Sequence, residues 1–133
     1  MARRRTYELV VRVSANDSDV ALLHALELCA GGAGVPVRVS VGELAHALGL
    51  GAATVRRSSS HLVSEGLMVV SEARRDDGGR DVNSYALTTA GGALLRTPEA
   101  RALVEAMRPI RVPNSLRPAD GAAAGWPSGT SGV

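Results

Sequence analysis

The 133 residues contain no lysine and no phenylalanine, one cysteine, one tryptophan and two tyrosines. A single cysteine excludes an internal disulfide, and a lone thiol in the apolar run around Cys29 reads as a small core residue. No stretch approaches the ~20 apolar residues of a membrane-spanning helix. The amino terminus shows no secretory apolar segment either, so a cytoplasmic protein is expected. Without lysine there is no phosphate-binding loop of the Gly-Lys-Ser/Thr kind. No nucleophile motif stands near a base. His24, His46 and His61 lack a second ligand at metal-binding spacing, and Cys29 stands five residues from His24. The sequence therefore predicts no enzyme, no cofactor and no metal.

What is present is arginine. All 15 cations are arginine, against 13 acids, for a net charge of +2. That balance excludes a strongly basic protein that coats nucleic acid, so the placement of the arginines carries the information. Arg3, Arg4 and Arg5 form a short basic arm. Arg56 and Arg57 form a pair, and Arg74, Arg75 and Arg80 cluster among Glu72, Asp76, Asp77 and Asp81.

Three regions follow from the patterning. Residues 1–14 hold the arm and an N-terminal strand, in which Tyr7, Leu9, Val11 and Val13 alternate with Glu8, Val10 and Arg12. Residues 15–108 form the folded domain. Residues 109–133 hold four of the six prolines amid glycine, serine and alanine. They predict a disordered tail, with Trp126 an isolated large apolar residue in it.

Within the domain, Asn16, Asp17 and Ser18 offer cap oxygens for a helix from about Asp19 to Ala30. Its leucines, Leu22, Leu23, Leu26 and Leu28, nearly encircle it. Val35–Val39 reads as a short edge strand beginning near Pro36. Ser40 and Glu43 form a capping box for a second helix, which Gly49 ends through a left-handed turn. A third helix runs from about Ala52 to Ser64, with Val55 and Leu62, and beside them Ser58 and Ser59, facing inward and Gly66 as its stop. Strands Leu67–Ser71 and Val82–Leu87 then flank the turn 73–80. Thr88 or Thr89 caps a further helix, and Thr97-Pro98-Glu99 starts another that ends near Arg108.

This order predicts an α+β fold: a winged helix-turn-helix with an added N-terminal strand. A helix that reads DNA needs small residues at its leading end and long donors behind them. Gly51, Ala52, Ala53 and Thr54 meet the first need, and Arg56 and Arg57 the second. Between Gly51 and Ser64 there is no acidic residue. Ala53, Thr54, Arg56, Arg57, Ser60 and His61 fall on the outer sides of the helix and are the candidate DNA contacts. Arg74, Arg75 and Arg80 are candidates in a wing. An arginine can take both acceptors of guanine, worth about 1–3 kcal/mol of discrimination, or clamp a phosphate.

The run Glu43-Leu-Ala…Leu48-Gly-Leu…Thr54-Val-Arg-Arg…Leu62…Glu65-Gly-Leu resembles the DNA-binding domains of MarR-type and GntR-type bacterial regulators. The ending Tyr85-Ala-Leu-Thr-Thr-Ala-Gly91, after a turn bearing Asp77 and Arg80, is closer to MarR, and the Thr-Val-Arg-Arg run is closer to GntR. The likeness covers about Val35 to Leu95. It implies a winged fold that binds double-stranded DNA. Ser58 departs from the pattern, standing where such helices carry an aliphatic residue. The long dimerising helices of MarR proteins and the effector domain of GntR proteins have no counterpart in these residues, so the resemblance names no small-molecule effector.

The expected function is sequence-selective duplex DNA binding by a small transcriptional regulator, a repressor that occludes a promoter. Two alternatives share the fold: replication or transfer control of a mobile element, and a protein-interaction module that offers its N-terminal strand edge to a partner. A homodimer is expected. Tyr7, Leu9, Val11, Val13, the helix leucines and Leu103, Val104 and Met107 form more apolar surface than a monomer normally leaves bare.

Overall fold

Two short strands, β1 (Arg5–Glu8) and β2 (Arg12–Ala15), open the computed structural model, which describes residues 5–9, 12–73, 82–107 and 110. The alternation from Tyr7 to Val13 predicts one strand. The chain instead folds back between Glu8 and Arg12 as an antiparallel pair, with Tyr7 opposite Val13. Directly opposed residues of a pair share a face of the sheet. Period-two alternation therefore continues through the reversal and hides it. Tyr7, Val13 and Ala15 all enter the core.

Helix α1 (Asp17–Ala30) begins at a reciprocal cap. The Asn16 side-chain oxygen accepts the Asp19 amide at 2.8 Å, and Asp19 Oδ2 accepts the Asn16 amide at 2.9 Å. The cap binds two donors that a helix start otherwise leaves unpaired. Val20, Leu22, Leu23, Ala25, Leu26 and Cys29 are buried, while Leu28, one of the leucines expected to nearly encircle this helix, is 44% exposed. Burial pushes the Cys29 thiol pKa up, as desolvation disfavours the thiolate.

Strand β3 (Val37–Val39) leads into α2 (Val41–Leu48), whose start is the Ser40–Glu43 capping box. Gly49 takes φ 68° in the left-handed region, and the Leu50 amide reaches back 3.0 Å to the Ala45 carbonyl. The turn is tight enough to start α3 (Ala52–Ser64) three residues later. Strands β4 (Met68–Ala73) and β5 (Val82–Leu87) follow, then α4 (Thr89–Leu95) and α5 (Pro98–Ala106). Thr88 and Thr97 cap the last two helices through their hydroxyls.

The described residues thus form an α+β fold of five helices and two antiparallel sheets, β1–β2 and β3–β5–β4. α1 is the axle of the core, touching the other four helices as well as β2, β3 and β5. α4 lies so close to the start of β4 that a Cβ on Gly91 would run into the Leu67 carbonyl. The Thr88 amide and hydroxyl bond the carbonyls of Leu67 and Gly66 at the same corner.

The surplus apolar surface that motivated a dimer is largely used within the chain. Tyr7, Val13, Leu22, Leu23 and Leu26 are buried, and Leu9, Leu103, Val104 and Met107 pack against the core. Among the described residues the large apolar side chains left exposed are Leu28, Val63 and Val69. They are scattered singly in sequence, as surface apolar residues commonly are. No helix among the described residues is long and apolar enough to cross a membrane. The expected tail at 109–133 lies outside the described residues, apart from Ile110.

Candidate nucleic-acid interface

α3 is attached by a thin stripe. Val55, Ser58 and Leu62 are its buried residues, spaced three and four apart so that they fall on one side of the helix. Ser58 is 5% exposed and fills the position where an aliphatic residue was expected. Ala52, Ser59 and His61 are half-buried beside it, and much of the remaining surface is open. Ala53, Arg56, Arg57, Ser60, Val63 and Ser64 are exposed, and Thr54 is half-buried. Neither Arg56 nor Arg57 has a carboxylate within ion-pair distance among the described residues. Arg57 reaches only the Thr54 hydroxyl, at a long 3.4 Å.

The structure divides the sequence-predicted contacts between two flanks of α3. On the sheet side, Arg56 and Ser60 join Val63, Val70, Asn83 and Tyr85 around an open cleft of about 650 Å³. On the α1 side, Thr54, Arg57 and His61 join Asn16, Ser18 and Asp19 around a second cavity of about 390 Å³. Ala53 stands on the exposed leading end of the helix, belonging to neither cavity wall.

His61 departs most from the outward placement read from the sequence. Its Nε2 lies 2.7 Å from the Ser14 carbonyl and 3.9 Å from Asp19 Oδ2. A carbonyl can only accept, so Nε2 carries the hydrogen in that bond. The side chain ties α3 to β2 and to the start of α1, and is only partly open to solvent.

Arg74, Arg75 and Arg80 lie outside the described residues. The strands on either side of them in sequence, β4 and β5, are paired in register from Met68 opposite Leu87 to Ala73 opposite Val82. Asn83 and Val63 were not singled out by the sequence reading. Val63 is 42% exposed and lies one heptad after Arg56, so helical periodicity alone could have put it on the same face. Asn83 had no such signal, because its place in the cleft depends on how the sheet packs against α3.

Among the described residues no three His, Cys, Asp or Glu side chains come together to hold a metal. No protein-family model, curated protein or solved structure matches this chain.

Proposed function

We propose that this protein binds duplex DNA as a small bacterial transcriptional regulator, with α2, the Gly49 turn and α3 acting as a helix-turn-helix and the β4–β5 hairpin as its wing. The observation that carries the reading is the outer face of α3. It presents two exposed arginines without carboxylate partners among the described residues, on a helix with no acidic residue from Gly51 to Ser64. The small residues Ala52 and Ala53 at the leading end let the backbone approach the floor of a major groove about 12 Å wide. Arg56 and Arg57 follow within one turn, at the depth of base edges and the flanking phosphates. The buried Val55 and Leu62 hold the helix at its back, where α3 packs on α1, α2 and β4.

A single helix of this length reads few base pairs. Two copies related by a two-fold axis would read half-sites about 34 Å apart, which makes a homodimer on DNA the economical arrangement. Occupying a promoter in this way represses it by exclusion, and such a partner implies a cytoplasmic location. Selection of bound sequences from a random duplex library tests the reading. A recovered palindrome supports both recognition and two-fold symmetry. Recovery of no enriched sequence overturns selective DNA binding.

A further inference from the structure

Arg56 and Arg57 are neighbours in sequence, yet they leave α3 on different sides. At ~3.6 residues per turn, Ala53 and Ser60 lie opposite the buried stripe of Val55, Ser58 and Leu62, and both are exposed. The two arginines branch about 50° to either side of that outermost line. Their surroundings widen the divergence. Arg57 Nη2 donates to the Thr54 hydroxyl at 3.4 Å, and Thr54 stands farther round toward α1, half-buried in the wall of the α1-side cavity. Arg56 lines the sheet-side cleft with Val63, Val70 and Asn83. Between the two guanidinium groups the helix presents only the short side chains of Ala53 and Ser60.

A helix with its side chains is about 10–12 Å across, and the major groove is about 12 Å wide. A helix inserted there has its flanks against the two sugar–phosphate walls and only its outermost line on the base edges at the floor. We propose that Arg56 and Arg57 each hold a phosphate, one on each strand, and that base preference resides in Ala53 and Ser60 between them. The assignment rests on the DNA-binding reading above and divides its work among the residues of one face. An arginine on a phosphate fixes the orientation of the helix without distinguishing sequences. The Ala53 methyl packs on a thymine methyl, and the Ser60 hydroxyl donates or accepts at a base edge. Affinity and its salt dependence then belong to the arginines, and selectivity to the two short side chains.

The test compares the full-length parent, Arg56→Ala, Arg57→Ala and the double variant Ala53→Ser with Ser60→Ala. Each is titrated with two duplexes, the one selected by the parent and a scramble of equal composition, from about 50 to 200 mM salt. All four side chains are exposed, so the variants keep the fold. Each arginine variant should weaken binding to both duplexes by the same factor, within ~2-fold, and flatten the salt slope by about one. The double variant should keep the parent's slope and lower its preference for the selected duplex at least ~5-fold. An arginine variant that lowers that preference ~5-fold or more while keeping the slope has lost a base contact. That result overturns the assignment and leaves the DNA reading standing. A double variant as selective as the parent overturns the assignment as well. A parent with no salt-dependent affinity for either duplex overturns it together with the reading beneath it.

Discussion

Helices α1 and α3 are nearly equal in length, 14 and 13 residues, yet they use their surfaces in opposite ways. α1 buries six apolar residues and one carboxylate, and it touches elements from both sheets and all the other helices. α3 buries only Val55, Ser58 and Leu62. The first helix commits its surface to the core. The second is held by a narrow stripe and keeps a polar, arginine-bearing face clear. In a chain this small, a helix that keeps a face open depends on another that gives up its own exposure.

The comparison breaks most severely at the stripe of α3. Leu62→Asp should abolish folding, because Leu62 is 0% exposed and an unpaired carboxylate there is strongly disfavoured. A cooperative thermal transition near the parent's would show that α3 is not held as described. Leu26→Ala tests the axle. Truncating that buried side chain should cost about 2–5 kcal/mol in urea unfolding. A cost below that of a surface substitution would remove α1 from its central role.

A smaller loss is expected at the corner between α4 and β4. Gly91→Ala drives a methyl group against the Leu67 carbonyl, backbone that cannot swing aside, so about 1–3 kcal/mol should be lost. An unchanged melting temperature would mean that α4 can slide. Val63→Ser, on the open face of α3, should change stability by no more than about 0.5 kcal/mol. A larger loss would show that this face is packed against something in solution.

The smallest effect concerns pH. Burial lowers the pKa of His24 from its usual value of 6.5, partly opposed by Glu27. The unfolded chain therefore binds this proton more readily than the folded one. His24's neutral form carries no penalty above about pH 6.5, and stability declines as pH falls from there toward the lowered folded pKa. Comparison of parent and His24→Asn melting temperatures between pH 7.5 and 5 checks the sign, with the parent losing more. A parent that gains stability on acidification relative to the variant contradicts it.

Much of the architecture could be read from local chemistry. The Ser40–Glu43 box, the positive φ of Gly49, the span of α3 and the caps at Thr88 and Thr97 each depend on residues within a few positions of one another. The N-terminal hairpin could not be read so. Leu9, Val10 and Val11 contain no glycine, proline, asparagine or aspartate to mark a reversal, and the pairing of Tyr7 with Val13 preserves the alternation. The candidate site was legible to the same extent. Arg56 and Arg57 were placed outside by helical spacing alone. His61 was misread because its partner, Ser14, lies 47 residues away. The division of α3 into a sheet-side and an α1-side flank depends on packing that no local pattern encodes.

The central claim, that the open face of α3 engages duplex DNA, is tested most directly by the salt dependence of binding. Affinity for a selected duplex should be measured from about 50 to 200 mM salt for the parent, Arg56→Ala and Arg57→Ala. The account predicts a linear fall of log affinity with log salt, with a slope near −0.9 per phosphate contact. An arginine on a phosphate should flatten that slope by about one when removed, and an arginine on a base should weaken the selected sequence by about 1–3 kcal/mol. An affinity indifferent to salt, or two variants that bind like the parent, would contradict it.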